Sequence, residues 1–361
     1  MSLEELRQNL SAVDRQLVEL IAERQKLVAR IGKSKQSSGA GTRDYAREKD
    51  VLNMGREQAI ELGVDPDLVE SMLQQLILTS LESQERDRVI AEGKGNGRRA
   101  LVIGGVGKMG RWFVDFFASQ GFETVIADTA AQDGPGCFRN WTDAGVDYDY
   151  IVVAAPLAVS GRILAQLAVL KPDGLVFDIG SLKSPLMDGL KELRRSGCRV
   201  TSLHPMYGPD TRLLSGRHLI FCDVGDSEAT AAAKELFAST MVEQLDMSLE
   251  DHDRLIAYVL GLSHALNIAF FTALAESGEA APKLARMSST TFDSQLLVSA
   301  AVAGDNPHLY FEIQNLNKYG LGPLDALCDA ANRIRETVAG GDEEAFVQLM
   351  KKGRDYLALR G

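Results

Sequence analysis

Three glycines, Gly105, Gly107 and Gly110, directly follow the short apolar run Leu101–Gly104. An amphipathic helix is predicted to follow them, over Arg111–Gln120. Glycines at this spacing, between a strand and a helix, permit a tight turn and let the backbone approach a pyrophosphate at the helix N-terminus. A glycine-rich turn in some other α/β fold is the alternative. The context favours a dinucleotide-binding unit.

A carboxylate closes the second predicted strand of this unit. Asp128 lies 18 residues beyond Gly110, at the end of the apolar run Thr124–Asp128. Its side chain can accept hydrogen bonds from both ribose hydroxyls and would repel a 2′-phosphate, so NAD is favoured over NADP as the cofactor. With the three glycines and Asp128, Lys108 and Met109 of the loop complete the candidate cofactor-binding residues.

The 361-residue chain changes character twice along its length. Residues 1–91 have a helical pattern, and the glycine-rich octet 92–99 predicts a linker. Residues 100–246 alternate short apolar runs with helical stretches, which is typical of a parallel sheet covered on both faces. Residues 247–361 return to a helical pattern rich in Ala and Leu. The predicted architecture is an all-α N-terminal domain of three helices, an α/β Rossmann domain and an all-α C-terminal domain.

Composition excludes several classes of protein. The formal net charge of −11 argues against a protein that binds nucleic acids or anionic membranes. The apolar run Tyr150–Ser160 is shorter than the roughly 20 residues that cross a bilayer, and the acidic N-terminus is unlike a signal peptide. The four cysteines form no C-x-x-C pair and no metal-type spacing with histidines. We expect a cytoplasmic protein without a metal.

A charged residue interrupts the first predicted helix. Over residues 3–36, apolar residues recur at steps of three and four, but Arg24 occupies a position in this stripe. Arg24 either extends its charge to solvent, sets the register of a coiled coil, or faces a buried anion. Lys35 lies almost three turns further along nearly the same side, so both could converge on a dianionic small molecule. Arg7 could reach such a ligand only on a partner chain, which predicts an intertwined dimer.

The next two predicted helices, over residues 44–62 and 66–91, add further polar side chains. Glu48 is either a salt-bridge partner of the cations around it or an acceptor for a ligand hydroxyl. Ser80 and Gln84 are four residues apart and share one helix face. The candidate residues near the start of the second helix are Arg43, Asp44, Arg47 and Glu48.

Polar residues also follow two predicted strands of the sheet, where ligands of open α/β sheets bind. Ser181 and Lys183 follow one strand, and His204 ends another. His204 is placed to take a proton from an alcohol as hydride leaves, and Ser181 could share that hydroxyl. The alternative for His204 is a structural imidazole that satisfies loop carbonyls. His252 and His264, in the helical part, are open to both interpretations.

Two families resemble the chain at these motifs. Residues 1–90 resemble the all-helical chorismate mutase domain at Arg7, Arg24, Lys35, Asp44, Arg47, Glu48, Ser80 and Gln84. Residues 100–361 resemble prephenate dehydrogenases, through the glycine loop, Asp178-x-x-Ser181-x-Lys183 and Leu203-His204-Pro-Met-x-Gly-Pro-Asp210. The order of the two parts is that of the fused enzymes of bacterial tyrosine biosynthesis.

The resemblance implies a role for each matched residue of the helical domain. Chorismate rearranges to prephenate without covalent catalysis, so the residues only position it and stabilise developing charge. By resemblance, the carboxylates are held by Arg7 of a partner subunit, Arg24 and Arg47. Lys35 and Gln84 face the ether oxygen and Glu48 the ring hydroxyl. Asp44 and Ser80 are further substrate-binding residues.

The resemblance also implies the chemistry of the second part. His204 accepts the proton of the 4-hydroxyl of prephenate, Ser181 is hydrogen-bonded to the same oxygen, and His264 lies near the substrate. Hydride passes to NAD while the ring carboxylate leaves as CO2. A homodimer, with the C-terminal all-α domain as its dimerisation domain, and feedback inhibition by tyrosine are further implications of the resemblance.

One position departs from the family pattern. Asp293 occupies the place of an arginine that binds a substrate carboxylate in the family. Either another cation covers the carboxylate, with Arg286, Arg217 and Lys183 as candidates, or the substrate is arogenate or another amino-substituted prephenate. A third possibility is a binding protein, in which the Rossmann unit senses NAD and the N-terminal helices only dimerise.

Overall fold

The computed structural model describes residues 1–38, 41–132 and 134–359, so residues 39 and 40 of the predicted loop 37–42 lie outside it. The chain forms two compact units. The first comprises Met1–Ala155, Leu167–Ile179 and Leu193–Asp246, and the second comprises Pro156–Gln166, Gly180–Glu192 and Met247–Gly361. The first unit therefore contains both the N-terminal helices and the sheet.

Three long helices form the N-terminal part, in agreement with the prediction. They are α1 (Leu3–Ser38), α2 (Tyr45–Leu62) and α3 (Pro66–Ala91). Asp44 caps α2 by accepting a hydrogen bond from the backbone N–H of Arg47, and Gly63 ends it in the left-handed conformation, at φ 70°. Helix α1 has no buried residue. Its apolar stripe is left uncovered by the described part of the chain.

Eight strands form one sheet in the order β3-β2-β1-β4-β5-β6-β7-β8. They are β1 (Arg99–Ile103), β2 (Glu123–Ala127), β3 (Cys137–Phe138), β4 (Tyr150–Val153), β5 (Leu175–Asp178), β6 (Val200–Pro205), β7 (His218–Cys222) and β8 (Glu243–Met247). The pairs from β3 across to β6 are parallel, but β7 is antiparallel to β6, so the predicted parallel sheet is mixed. The sequence does not predict β3, which has two residues, or β8, whose sequence EQLDM is mostly polar.

Aromatic packing holds the first helix of the Rossmann part against the sheet. The helices here are α4 (Lys108–Ser119), α5 (Leu157–Leu170), α6 (Met187–Arg195) and α7 (Ser227–Glu235). Helix α4 begins inside the glycine loop rather than at Arg111. Phe113 of α4 is fully buried, with its ring centroid 6.0 Å from that of Phe177 and 6.4 Å from that of Phe237. Burial of each ring contributes about 2–3 kcal/mol, which fixes the loop at the start of α4.

Helices make up most of the second unit. After α8 (Leu249–Ile256) and a π-helical segment (Ala257–Leu262) come α9 (Ser263–Glu276), α10 (Ala281–Arg286), α11 (Thr290–Ala303), α12 (Pro307–Asn315), α13 (Leu321–Gly340) and α14 (Glu343–Ala358). By length and composition alone, the continuous stretch Leu249–Glu276 is long and apolar enough to cross a membrane. The expectation that no apolar segment is longer than Tyr150–Ser160 is therefore corrected. Within this stretch His252 and Asp253 are buried, whereas Leu255, Tyr258 and Val259 are exposed.

The predicted linker 92–99 is packed rather than free. A Cβ on Gly93 would overlap the backbone of Gln120, and one on Gly95 would overlap that of Gly121. The backbone N–H of Gly95 donates to the carbonyl oxygen of Gln120 at 2.9 Å. These glycines therefore allow two backbone segments to approach closely, and they do not provide flexibility.

A buried carboxylate joins α3 to the sheet domain. Glu85 is 3% exposed and accepts hydrogen bonds from the backbone N–H groups of Leu214, at 2.7 Å, and Met241. Burial raises the pKa of Glu85, and the two hydrogen bonds only partly oppose this. The N-terminal helices and the sheet domain thus share an interface that contains a buried ionisable side chain.

This raised pKa predicts a pH-dependent stability. The folded protein favours the protonated form of Glu85 over the charged form. The stability that this preference contributes is therefore lost as the pH rises through the folded-state pKa. We expect the urea midpoint of the wild type to fall relative to that of Glu85→Gln as the pH rises from about 4.5 towards neutrality. Urea titrations followed by circular dichroism at matched pH values measure this difference. Parallel pH curves for the two proteins would contradict it.

Candidate active sites

The glycine loop has the geometry of a nucleotide-binding turn. Strand β1 leads into Gly104, whose φ of 88° requires a glycine. A Cβ on Gly110 would overlap the carbonyl oxygen of Gly104, so α4 can pack directly on the loop only without a side chain there. Gly107 is the N-cap of α4 and has no side chain to cap the helix, so the first N–H groups of α4 are available to an anion.

Asp128 lies beside this loop, as predicted for a residue that contacts a ribose. One carboxylate oxygen accepts from the N–H of Val106 at 3.1 Å, and the other accepts from the N–H of Ala130 at 2.9 Å. A carboxylate has about four acceptor positions, so two remain for the ribose hydroxyls. The residues present therefore fit a dinucleotide.

In the helical domain, Arg24 is directed towards α3. Its Nη1 donates to Ser80 Oγ at 2.7 Å and to the carbonyl oxygen of Leu76 at 3.0 Å. Burial lowers the pKa of Arg24. The structure thus brings together two of the predicted substrate-binding residues and places the cation of Arg24 among protein groups instead of in solvent.

A second pair of candidates lines a pocket of about 330 Å³ between α1 and α3. Lys35 Nζ donates to the carbonyl oxygen of Thr42 at 2.8 Å, and Gln84 Oε1 is buried with no hydrogen-bond partner among the residues that the structure describes. Arg88, one turn beyond Gln84, also lines this pocket. Sequence reasoning missed Arg88, although its spacing of four residues from Gln84 placed it on the same face. Three cations (Lys33, Lys35 and Arg88) and two carboxylates (Asp87 and Glu92) line the pocket, and Arg88 pairs with Glu92 at 2.9 Å. The net positive charge of the lining suits an anionic ligand.

The remaining helical candidates are more dispersed. Glu48 forms an ion pair with Arg43, whose Nη2 lies 2.9 Å from Glu48 Oε2. Asp44 serves as the N-cap of α2, which is a structural role that sequence reasoning did not assign. Arg7 and Arg47 are exposed, and neither lines the 330 Å³ pocket.

The candidate base of the sheet domain is buried at the end of a strand. His204 lies on β6, opposite Ile220 of β7, and is 4% exposed. Asp178 is the last residue of β5 and is fully buried. The predicted positions of both motifs at carboxyl ends of strands are confirmed.

In the second unit, His252 and Lys183 belong to one buried cluster around Asp253. Asp253 accepts from His252 Nδ1 at 2.8 Å and from the backbone N–H groups of Lys183, at 2.8 Å, and Ser184, at 2.5 Å. Burial opposes ionisation of Asp253, but these hydrogen bonds prevail and hold its pKa below the usual range. Lys183 is fully buried, and its Nζ donates to the carbonyl oxygen of Gly180. His252 and Asp253 therefore hold the segment that carries Ser181, which is half-buried.

His264 has a different environment. It follows the π-helical segment Ala257–Leu262, where Gln314 donates to the carbonyl oxygen of Gly261 at 2.8 Å. Its ring stacks on Tyr310, with a centroid distance of 4.1 Å, and its Nδ1 is buried without a hydrogen-bond partner among the described residues. Burial lowers the pKa of His264, although Asp305 opposes this. A neutral imidazole with an unused nitrogen next to a π-helical turn favours a ligand-binding role.

Asp293 lies in the first turn of α11 and is exposed. Its carboxylate accepts a hydrogen bond from Ser288 Oγ. Of the cations considered as substitutes for the family arginine, Arg286 ends α10 and is exposed, whereas Lys183 is buried in the cluster around Asp253.

The glycine loop, Asp128 and the buried strand-terminal histidine define a dehydrogenase with a Rossmann domain, preceded by a helical domain with a cationic pocket. Family models match in the same order: chorismate mutase type II over residues 6–85, the nucleotide-binding domain of prephenate dehydrogenase over 130–244, and its dimerisation domain over 248–352. The chain belongs to the prephenate dehydrogenase family, with a chorismate mutase domain at its N-terminus. It is therefore an isomerase and an oxidoreductase in one chain.

Similar proteins agree with this division. A T-protein of Enterobacter agglomerans is 27% identical over 342 residues, which are 95% of this chain and 89% of that protein. A 4-amino-4-deoxyprephenate dehydrogenase of Streptomyces pristinaespiralis is 30% identical over 275 residues, 73% of this chain and 92% of that protein. The crystal structure of prephenate dehydrogenase from A. aeolicus, with hydroxyphenyl propionate and NAD+, is 18% identical, with a TM-score of 0.57. The match covers 74% of this chain and 100% of the A. aeolicus chain. At this level of identity the similarity establishes only a shared fold.

Proposed function

We propose that the chain converts chorismate to prephenate in its helical domain and oxidises prephenate to 4-hydroxyphenylpyruvate with NAD in the remainder, in tyrosine biosynthesis. The observation that carries this proposal is the pairing of two sites in one chain. One is the pocket with Lys35 and Gln84, and the other is the glycine loop with Asp128 beside it. A non-catalytic NAD sensor that only dimerises through its helices has no use for the first of these sites.

The mutase step needs only positioning and fixed charges. Chorismate is a dicarboxylate whose rearrangement breaks an ether bond as a carbon–carbon bond forms, so negative charge develops on the ether oxygen. Lys35 and Gln84 face that oxygen, and cations hold the two carboxylates. Their assigned holders are Arg24, Arg47 and Arg7 of a partner subunit. Ser80 orients Arg24 through the hydrogen bond described above.

The dehydrogenase step needs a proton acceptor and a hydride acceptor. When bound, NAD supplies the hydride acceptor, held by the glycine loop with Lys108, Met109 and Asp128. His204 takes the proton of the 4-hydroxyl group, the ring carboxylate leaves as CO2, and the aromatic product regains a proton on its oxygen. Ser181 and His264 are assigned to substrate binding.

The experiment that tests this proposal measures NADH formation by absorbance, with prephenate, arogenate and 4-amino-4-deoxyprephenate as parallel substrates. We expect prephenate to be turned over fastest, which would mean that a cation other than the family arginine meets its carboxylate. Failure to oxidise prephenate, in a preparation that still rearranges chorismate, would refute the dehydrogenase assignment.

Asp293 favours a second candidate for the dehydrogenase substrate. A carboxylate in place of a cation repels a substrate carboxylate and attracts an amine. The similarity to a 4-amino-4-deoxyprephenate dehydrogenase supports the same alternative. Preferred turnover of an amine-bearing substrate in the assay above would establish it, and Asp293→Arg should then shift the preference towards prephenate.

Three further parts of the proposal concern assembly, regulation and location. The apolar stripe of α1 is exposed, with Leu10 at 61% and Leu20 at 62%, which supports an intertwined homodimer in which a second copy covers it. Sedimentation velocity of the full chain tests this, and a monomer would refute it. Feedback inhibition by tyrosine and a cytoplasmic location complete the proposal.

A further inference from the structure

A loop of the sheet domain contacts the helical domain close to the candidate mutase residues. The loop, residues 209–217, begins with the last two residues of the His204 motif and leads into β7. Arg43 Nη1 donates to Ser215 Oγ at 2.7 Å, and Glu85 accepts from the N–H of the neighbouring Leu214. All of these residues belong to the first compact unit. The loop is therefore held at two adjacent residues by two different helical-domain side chains.

Arg43 connects this loop to Glu48. Its Nε donates to Glu48 Oε1 at 3.0 Å, and its Nη2 donates to Glu48 Oε2 at 2.9 Å. One edge of the guanidinium therefore binds the carboxylate through two hydrogen bonds. The opposite nitrogen, Nη1, binds Ser215. Because the guanidinium is planar and rigid, fixing Nη1 sets the direction of the edge that holds Glu48.

Glu48 keeps the capacity to bind a ligand in this arrangement. A carboxylate has about four acceptor positions, and the hydrogen bonds from Arg43 leave some of them for a ligand hydroxyl. Arg43 and Glu48 are both partly buried, with side chains 24% and 18% exposed, so their relative position is fixed more firmly than that of a surface ion pair.

We propose that Ser215 and Arg43 are positioning residues of the mutase: the dehydrogenase loop orients Arg43, and Arg43 orients Glu48 towards the ring hydroxyl of chorismate. This rests on the role proposed for Glu48. It makes the mutase site depend on a side chain 172 residues away in the sequence, contributed by the other catalytic part of the chain.

The test compares mutase turnover in variants of the full chain. Ser215→Ala is expected to lower kcat for chorismate by about tenfold, and Ser215→Thr, which keeps the hydroxyl, should restore it. Arg43→Gln should lower kcat further. Arg43→Lys should not restore it, because lysine keeps the charge but not the planar fork. In the Arg43→Gln background, Ser215→Ala should have no additional effect, since Ser215 acts only through Arg43.

A matched control is available in the same loop. Arg212 also contacts α3, through an ion pair with Glu82 at 3.9 Å, but its side chain is 81% exposed, and its one ion pair among the described residues is not with a candidate mutase residue. Arg212→Ala should leave mutase turnover within about twofold, and the rate of prephenate oxidation in Ser215→Ala should show that the sheet domain is intact.

The outcomes separate this inference from the function on which it depends. If Glu48→Ala lowers mutase turnover but Ser215→Ala does not, the positioning role is overturned and the mutase assignment stands. If Glu48→Ala has no effect, the role of Glu48 and this inference both fail. Additive losses in the Arg43→Gln, Ser215→Ala double variant would also overturn the inference, because they would indicate independent structural damage.

Discussion

Replacing Lys35 with methionine is expected to lower mutase turnover by about 10²- to 10³-fold while prephenate oxidation stays within about twofold. The change removes the ammonium group but keeps a side chain of similar length. In the proposed mechanism, that ammonium group stabilises the charge that develops on the ether oxygen. Lys35 lies on α1, and its Nζ bonds the nearby carbonyl of Thr42. The measurement is the disappearance of chorismate by absorbance, with NADH formation from added prephenate in parallel.

Lys26→Met is the matched control for this prediction. Lys26 lies on the same helix and is exposed, and it does not line the pocket that contains Lys35. The control makes the same chemical change, so it reports any general effect of losing a positive charge from α1. Equal mutase rates in the two variants would show that Lys35 is not part of the mutase site.

Local sequence patterns predict most of the fold. Apolar residues at steps of three and four predict α1, and the glycine- and proline-containing breaks set the limits of α2 and α3, all to within two residues at each end. The short apolar runs predict the buried central strands, since a strand covered on both faces is apolar throughout. Strand β8 is not predicted because it lies at the edge of the sheet, where a strand need not be apolar.

The candidate sites are less predictable where they depend on contacts distant in sequence. Nothing local indicates that Glu85 meets Leu214, or that Arg43 meets Ser215, because these pairs are brought together only by the docking of the helical domain on the sheet domain. The octet 92–99 illustrates the same difficulty. Its glycines suggest flexibility to a reader of the sequence, but they are required by close packing of two backbones.

His252 and His264 show how environment decides between two interpretations that a sequence leaves open. Both are buried in the helical unit, yet His252 bonds Asp253, whereas His264 Nδ1 has no partner among the residues described. A satisfied imidazole supports the fold, and an unsatisfied one costs free energy unless a ligand completes it. This difference supports the substrate contact of His264, which the family resemblance implies.

His204→Asn is expected to lower prephenate oxidation by about 10²- to 10⁴-fold and to leave chorismate rearrangement within about twofold. Asparagine is polar and smaller than histidine, so it can occupy the buried position on β6, but it cannot accept a proton at neutral pH. The rate of NADH formation at saturating prephenate measures the loss. NAD affinity, followed by quenching of protein fluorescence, should be unchanged, because the dinucleotide is assigned to the glycine loop and Asp128.

The matched control is His218→Asn, which makes the same substitution on the adjacent strand. His218 is exposed on β7, and its Nε2 lies 3.0 Å from Glu243 Oε2. A surface pair of this kind contributes about 0–1 kcal/mol to stability, so the control variant should oxidise prephenate at the wild-type rate. If His204→Asn also does so, His204 is a structural imidazole that satisfies neighbouring groups. The base must then be sought among other residues, with His264 the first to examine.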